Sequence, residues 1–212
     1  MIDAVNQYST AFIDLVVRVS VDSEDVYRTT DIGMASNVGP GATPDTLVGY
    51  VNQVRSAISS TALACKAIGH VDTCNTWTNT TYTAGLIDTV DFLGVDAYPY
   101  YESTKSNSIN NSRTLFWDDF DDVVGAAHGK PVWVTGTGWP VQRATINEAT
   151  VGLVNAATYF QQTACSLFHN GVNTWRFNFQ DRQQVVPPAG VVFAVTGLGL
   201  PPPTTPLYSM LC

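Results

Sequence analysis

The residues of this sequence able to do chemistry stand just after its apolar, β-branched runs. Asp22-Ser23-Glu24-Asp25 follows the run at 15–21, and Asp96, Tyr98, Tyr100 and Tyr101 follow or close the run at 91–97. Gly136-Thr137-Gly138-Trp139-Pro140 follows 131–135, and Gln180-Asp181 follows 173–179. Parallel α/β folds place reactive groups just beyond the C-terminal ends of their strands, which makes these four places the candidates. Carboxyl groups can donate and recover protons, and aromatic rings offer flat faces to the apolar sides of a pyranose. Acidic and aromatic groups without clustered His, Cys or Lys suit a neutral polar ligand such as a sugar. Composition alone also leaves the acidic turn readable as a solvated loop, and the tyrosines as half-exposed packing. Rival chemistries have less in their favour: there is no GxSxG elbow, Walker loop or GxGxxG. His70, His128 and His169 lack a metal-ligand spacing such as HExxH and read as surface or packed histidines. Cys65 and Cys74 lack CxxC spacing, so no metal and no cofactor is expected.

The elements that must position these groups can be read from periodicity. Strands are expected at 15–21, 68–71, 91–97, 131–135 and 173–179, with helices at 44–62, 83–90, 115–128 and 146–170. Thr43 suits the cap of the first of these helices and Pro44 its first turn. Residues 2–15 read as the end of a helix entering a strand. The resulting βαβαβαβαβ order calls for parallel strands joined by right-handed helical crossovers, and most of the runs are as continuously apolar as doubly buried strands should be. No repeat or linker divides the chain, so one α/β domain over residues 1–212 is expected. Pattern alone leaves an open doubly wound sheet and a barrel as alternatives.

Composition bounds the partners. Of 212 residues, 45% are hydrophobic and 13% charged, the latter about half the roughly 25% usual in soluble domains. That excludes a solvated, disordered chain. Ten basic against 18 acidic residues give a net charge of −8, which argues against nucleic acid and anionic membranes as partners. No apolar run approaches the roughly 20 residues of a membrane span. The four cysteines, Cys65, Cys74, Cys165 and Cys212, are compatible with buried thiols or with a disulfide tethering the chain end. Asn79-Thr80-Thr81 and Asn110-Asn111-Ser112 are sequons for N-glycosylation at Asn79 and Asn110. Met1-Ile2-Asp3-Ala4 shows no basic patch followed by an apolar core, so no signal peptide is visible.

Whole segments carry a more specific signal. Val19-Ser20-Val21-Asp22-Ser23-Glu24-Asp25-Val26-Tyr27-Arg28 resembles the acid/base segment of fungal family 17 glycoside hydrolases. Gly94-Val95-Asp96-Ala97-Tyr98-Pro99-Tyr100 is similar to a second block of that family. So is Lys130-Pro131-Val132-Trp133-Val134-Thr135-Gly136-Thr137-Gly138-Trp139-Pro140 to a third. Val172-Asn173-Thr174-Trp175, Gln180-Asp181 and the Cys-terminated tail match in register. The resemblance implies a partial (β/α)8 TIM barrel whose five strands correspond to the fourth through eighth, N-terminally truncated against the roughly 250 residues of a full barrel. It implies a metal-free, retaining β-1,3-glucanase of the cell wall or extracellular space, monomeric and acting on β-1,3-glucan. It also implies a Cys165–Cys212 disulfide and Glu24 as acid/base; Asp96, Tyr98, Tyr100, Trp139 and Trp175 are expected as substrate-binding residues, the rings as stacking platforms.

Some positions depart from the family. Its nucleophile is a Glu where this chain has Gly136, and retaining hydrolysis needs two carboxyl groups, so hydrolysis is expected to be weak or absent. A glycine there predicts an empty slot able to take a small anion such as formate. Asp22 and Arg18 both stand where glycine is usual. Arg18, inside an apolar strand, could reach Asp22 along one strand face. A glucan-binding protein without catalysis, or an unstable fragment, are the alternatives.

Overall fold

The computed structural model describes residues 1–181, 192–197 and 203–212. It is an α/β structure with one five-stranded parallel sheet in the order β1 (Val19–Ser23), β2 (Ile68–Thr73), β3 (Phe92–Asp96), β4 (Val132–Thr137), β5 (Thr174–Arg176). Sequential strands as neighbours are what right-handed βαβ crossovers produce, and five such strands fit part of a barrel. Around them run α1 (Ile2–Tyr8), α2 (Thr10–Ile13), α3 (Asp31–Ser36), α4 (Pro44–Ile58), α5 (Cys74–Thr78), α6 (Thr80–Thr89), α7 (Ser112–Ala126), α8 (Leu153–Tyr159) and α9 (Cys165–His169), the last two joined by a π-helical turn over Phe160–Ala164. No helix among the described residues is long and apolar enough to cross a membrane. Contacts divide the chain into two compact units: residues 1–95 with 122–133, and 96–121 with 134–212.

In the first unit, α4 starts where its cap signals place it, the Thr43 hydroxyl accepting from the Thr46 amide and Pro44 occupying the first turn. Leu47, Val51 and Ile58 on its inner face are buried with Ile68, Leu86, Leu93 and Val95. Trp77 of α5 is fully enclosed and donates its indole N–H to Gly94 O at 2.8 Å. Gly69 permits close packing, since a Cβ there would fall 2.4 Å from the Phe92 ring. Lys130 caps the C-terminal end of α6, its ammonium donating to the carbonyls of Ile87, Asp88 and Val90.

Two expectations change here. β1 begins at Val19 rather than residue 15, and Leu15 and Val17 are 79% and 67% exposed. Arg18 does not reach along the strand to Asp22. Its guanidinium lies 4.4 Å from the Trp133 ring centroid and 5.1 Å from that of Phe92. Cation–π attraction to two rings compensates the half-buried charge.

In the second unit the core gathers Tyr100, Phe116, Trp139, Tyr159 and Phe160. The Cys165–Cys212 disulfide forms as expected, closing a sequence separation of 47, while Cys65, exposed, and Cys74, buried, lie outside any disulfide. The last helical segment starts at Leu153, not 146. Buried Asn107 captures this backbone by donating to Ile146 O and accepting from the Glu148 amide. Ile146 and Ala149 form an isolated bridge, and Gly152 (φ 137°) sets the turn into α8.

Candidate functional site

In the first unit, the acidic turn leaves β1 through an irregularity in the β1–β2 register between Ser20 and Ser23. Asp22 and Glu24 both take φ 58°, the left-handed conformation for which Gly, Asn and Asp are best suited. This is a physical reason for glycine to be usual at position 22, and aspartate is one of the side chains that tolerates it. The turn is fastened from several sides. The Glu24 amide donates to Val71 O at 2.8 Å, and the Ser23 amide to Asp25 Oδ2 at 3.0 Å. Arg28 Nη1 donates to Ser23 O at 2.7 Å and pairs with Asp25 at 3.4 Å. Burial, then the Asp22 carboxylate, push the Asp25 carboxyl above the usual aspartate range, against the pull of Arg28 and His70. Beneath the turn, Asp72 Oδ2 accepts from the amides of Val26 (3.0 Å) and Tyr27 (3.4 Å) and faces His70 Nε2 at 3.2 Å. Glu24 itself is half-buried.

In the second unit, Asp96, Tyr98 and Gly136 come together. Asp96 ends β3 and accepts from the Thr135 hydroxyl at 2.8 Å. Gly136 lies one residue further along β4, its carbonyl accepting from the Ala97 amide at 3.0 Å. A Cβ carried at position 136 would lie 2.7 Å from Tyr98 Oη and 2.8 Å from Asp96 Oδ1. The slot expected to be empty is therefore occupied by a phenol and a carboxylate. Next along β4, the Thr137 hydroxyl donates to Ala97 O at 2.8 Å and lies 2.6 Å from Tyr159 Oη, whose ionisation burial drives far above the ordinary tyrosine range.

The aromatic candidates separate. Tyr98 is half-buried, edge-on to Tyr101, Phe177 and Phe193. Trp175 on β5 is 50% exposed. Tyr100 and Trp139 are corrected: both are fully buried, their polar ends donating to the carbonyls of Ala144 and Thr150, and neither has a ring face open to a sugar. Tyr101 and Phe177 are more exposed, at 42% and 47%, and Arg143 lies over the Tyr101 ring at 5.6 Å. The sequence reading passed over Thr135, Phe177 and the His70–Asp72 pair. Two polar side chains at i and i+2 on one face of an apolar strand were the available signal for that pair. Asn79 and Asn110, the two sequon asparagines, are exposed. Among the described residues no three His, Cys, Asp or Glu side chains gather closely enough to hold a metal ion.

Residues 1–191 match the model of the BtgE/BtgC glycoside hydrolase domain. The chain belongs to that family. As a BtgE/BtgC-type domain, it is 45% identical over 209 residues to a probable glucan endo-1,3-beta-glucosidase of Aspergillus oryzae, covering 99% of this chain and 44% of that protein. It is 25% identical over 182 residues to the glucan 1,3-beta-glucosidase of Schizosaccharomyces pombe, covering 84% of this chain and 53% of that one. The chain thus spans about half the length of these curated relatives. Among solved structures it resembles a family 17 beta-1,3-glucanosyltransferase from Rhizomucor miehei, with a TM-score of 0.72 at 22% identity over 92% of this chain and 64% of that one. The resemblance to fungal family 17 glycoside hydrolases and the partial-barrel α/β fold stand.

Proposed function

We propose that this BtgE/BtgC-type chain engages β-1,3-glucan, in the fungal cell wall or extracellular space, and hydrolyses it weakly or not at all. The β-1,3-glucan-directed names of its relatives support the substrate class. The observation that carries the impairment is the packing at position 136. Retaining hydrolysis divides its work between a proton donor and a nucleophilic carboxylate held about 5–5.5 Å away. Glu24 keeps the first role, its carboxyl being the proton donor to a departing glycosidic oxygen. Gly136 has no carboxylate to attack the anomeric carbon, and Tyr98 and Asp96 already fill the volume where one would start. In a protease whose catalytic residues act as a unit, removing the nucleophile costs about 10⁶ in turnover, and a comparable loss follows here.

Recognition does not depend on the missing group. The partly exposed rings of Tyr101, Trp175 and Phe177 favour glucan binding without cleavage as the surviving activity, because aromatic rings at a surface are suited to stacking on a pyranose. Asp96 and Tyr98 supply polar groups for sugar hydroxyls. Exposed Asn79 and Asn110 suit glycosylation in a secretory setting. Two assays on the wild-type chain test the proposal together. Laminarin incubated with the protein releases no more reducing ends than with Glu24→Gln, while insoluble β-1,3-glucan retains both proteins above an albumin control. Tyr101→Ala and Trp175→Ala lower that retention. Robust laminarin hydrolysis would overturn the impairment, and absence of retention would overturn the binding.

A further inference from the structure

One ionisable pair lies fully buried beneath the acidic turn. His70 and Asp72, two residues apart on one face of β2, are both fully enclosed. His70 Nδ1 lies 2.7 Å from Val21 O, and Nε2 lies 3.2 Å from Asp72 Oδ2. A carbonyl oxygen can only accept, so Nδ1 carries a proton. Asp72 accepts from three backbone amides, those of Val26, Tyr27 and Thr73, an arrangement that favours the carboxylate. A bare Nε2 lone pair would then face an anionic oxygen, so Nε2 donates as well.

We propose that His70 is an imidazolium in the folded chain and that, with Asp72, it clamps the turn carrying Glu24. The clamp spans that turn, with Val21 O held on the β1 side and the Val26 and Tyr27 amides beyond it. His70 and Asp72 are thus positioning residues, acting on substrate only through the backbone on either side of Glu24. The charged groups around the ring agree with this. Asp72 faces it from its own strand. Asp25 faces it from the turn, flanked by Asp22 and Arg28. From α5, Trp77 presents its ring in a T-shaped contact at 5.8 Å. An unpaired buried carboxylate beside these amides would be costly, which gives the two partners a reason to occur together.

The proposal rests on the acid/base reading of Glu24 for its functional meaning, but its test does not use activity. The full chain is labelled with ¹⁵N and its imidazole and amide protons are observed at neutral pH. The expected spectrum shows protons on both ring nitrogens of His70 and slow exchange at the Val26 and Tyr27 amides. Asp72→Asn should remove the Nε2 proton signature and speed exchange at those two amides about tenfold or more, relative to Leu93 in β3. His70→Gln should speed the same two amides. Glu24→Gln should leave both ring protons in place. An unprotonated ring nitrogen in the wild-type chain overturns the proposal without any variant being needed, as do Val26 and Tyr27 amides exchanging like exposed ones. If the ring protons are present while insoluble β-1,3-glucan does not retain the chain, the glucan-binding reading falls and the clamp stands.

Discussion

Replacing Gly136 by alanine reports directly on how the position of the absent nucleophile is filled. The new methyl group would sit 2.7 Å from Tyr98 Oη and 2.8 Å from Asp96 Oδ1, both nearer than side chains tolerate. Tyr98 Oη is the far end of a ring that can swing, whereas the short Asp96 carboxylate is bonded to Thr135. Overpacking of this size costs about 1–3 kcal/mol, partly offset by the roughly 0.5–1 kcal/mol that a strand glycine gives up relative to alanine. The net loss is then between about 0 and about 2.5 kcal/mol, a fall of up to roughly 10 °C in Tm for a chain of this length. Urea unfolding of a four-member cycle measures it: wild type, Gly136→Ala, Tyr98→Phe and the double variant. Deleting the phenol removes the nearer obstacle, so the double variant should recover about 0.5 kcal/mol or more of the alanine penalty, the lower end of coupling for residues in contact. Alanine at 136 that stabilises the chain, with strictly additive effects in the cycle, would refute the filled-slot account.

Three further outcomes follow. Cys165→Ser opens a loop with a sequence separation of 47 and should cost about 4 kcal/mol by the chain-entropy relation; an unchanged urea midpoint would contradict this. Asp91 is partly buried, which raises its pKa, but hydrogen bonds from Arg55 and the Ile68 amide outweigh that and hold it below its ordinary value. A depressed folded-state pKa contributes stability above the unfolded value, lost as pH falls through the folded one. The stability advantage of wild type over Asp91→Asn should therefore be full at pH 7 and shrink below about pH 4; equal differences at pH 7 and pH 3 would refute it. Arg18→Ala should cost about 1–2 kcal/mol through lost cation–π contact, and should change Trp133 emission; a silent variant would mean the stacking contributes nothing.

How far the sequence could be read varies along the chain. The parallel order was legible because most strand runs are continuously apolar and helical segments separate them, with Thr43 and Pro44 fixing the start of α4. Residues 15–17 look like the same strand by hydrophobicity, yet they lie outside it. A run of apolar residues does not say where its ladder partners begin. The start of α8 was hidden for a different reason: buried Asn107, some 40 residues upstream, bonds the backbone at 146 and 148, a tertiary effect that periodicity cannot show. Tyr100 and Trp139 illustrate the same point at the site. Residue type gives a ring that could stack on sugar, but burial decides whether a face is free, and burial depends on packing with Tyr159 and on distant carbonyls. The slot at Gly136 was read as empty because a glycine leaves no atoms in the sequence. The structure shows neighbours from β3 and the segment after it taking the space.

The most direct test of the account is intact-mass measurement after incubation with an activated 2-deoxy-2-fluoro-β-glucoside, a reagent that accumulates the glycosyl ester of a retaining enzyme. The account predicts an unchanged mass, because Gly136 supplies no carboxylate to attack the anomeric carbon. A stoichiometric gain of one fluoroglucosyl unit, mapped to any carboxylate of this chain including Asp96, would contradict it.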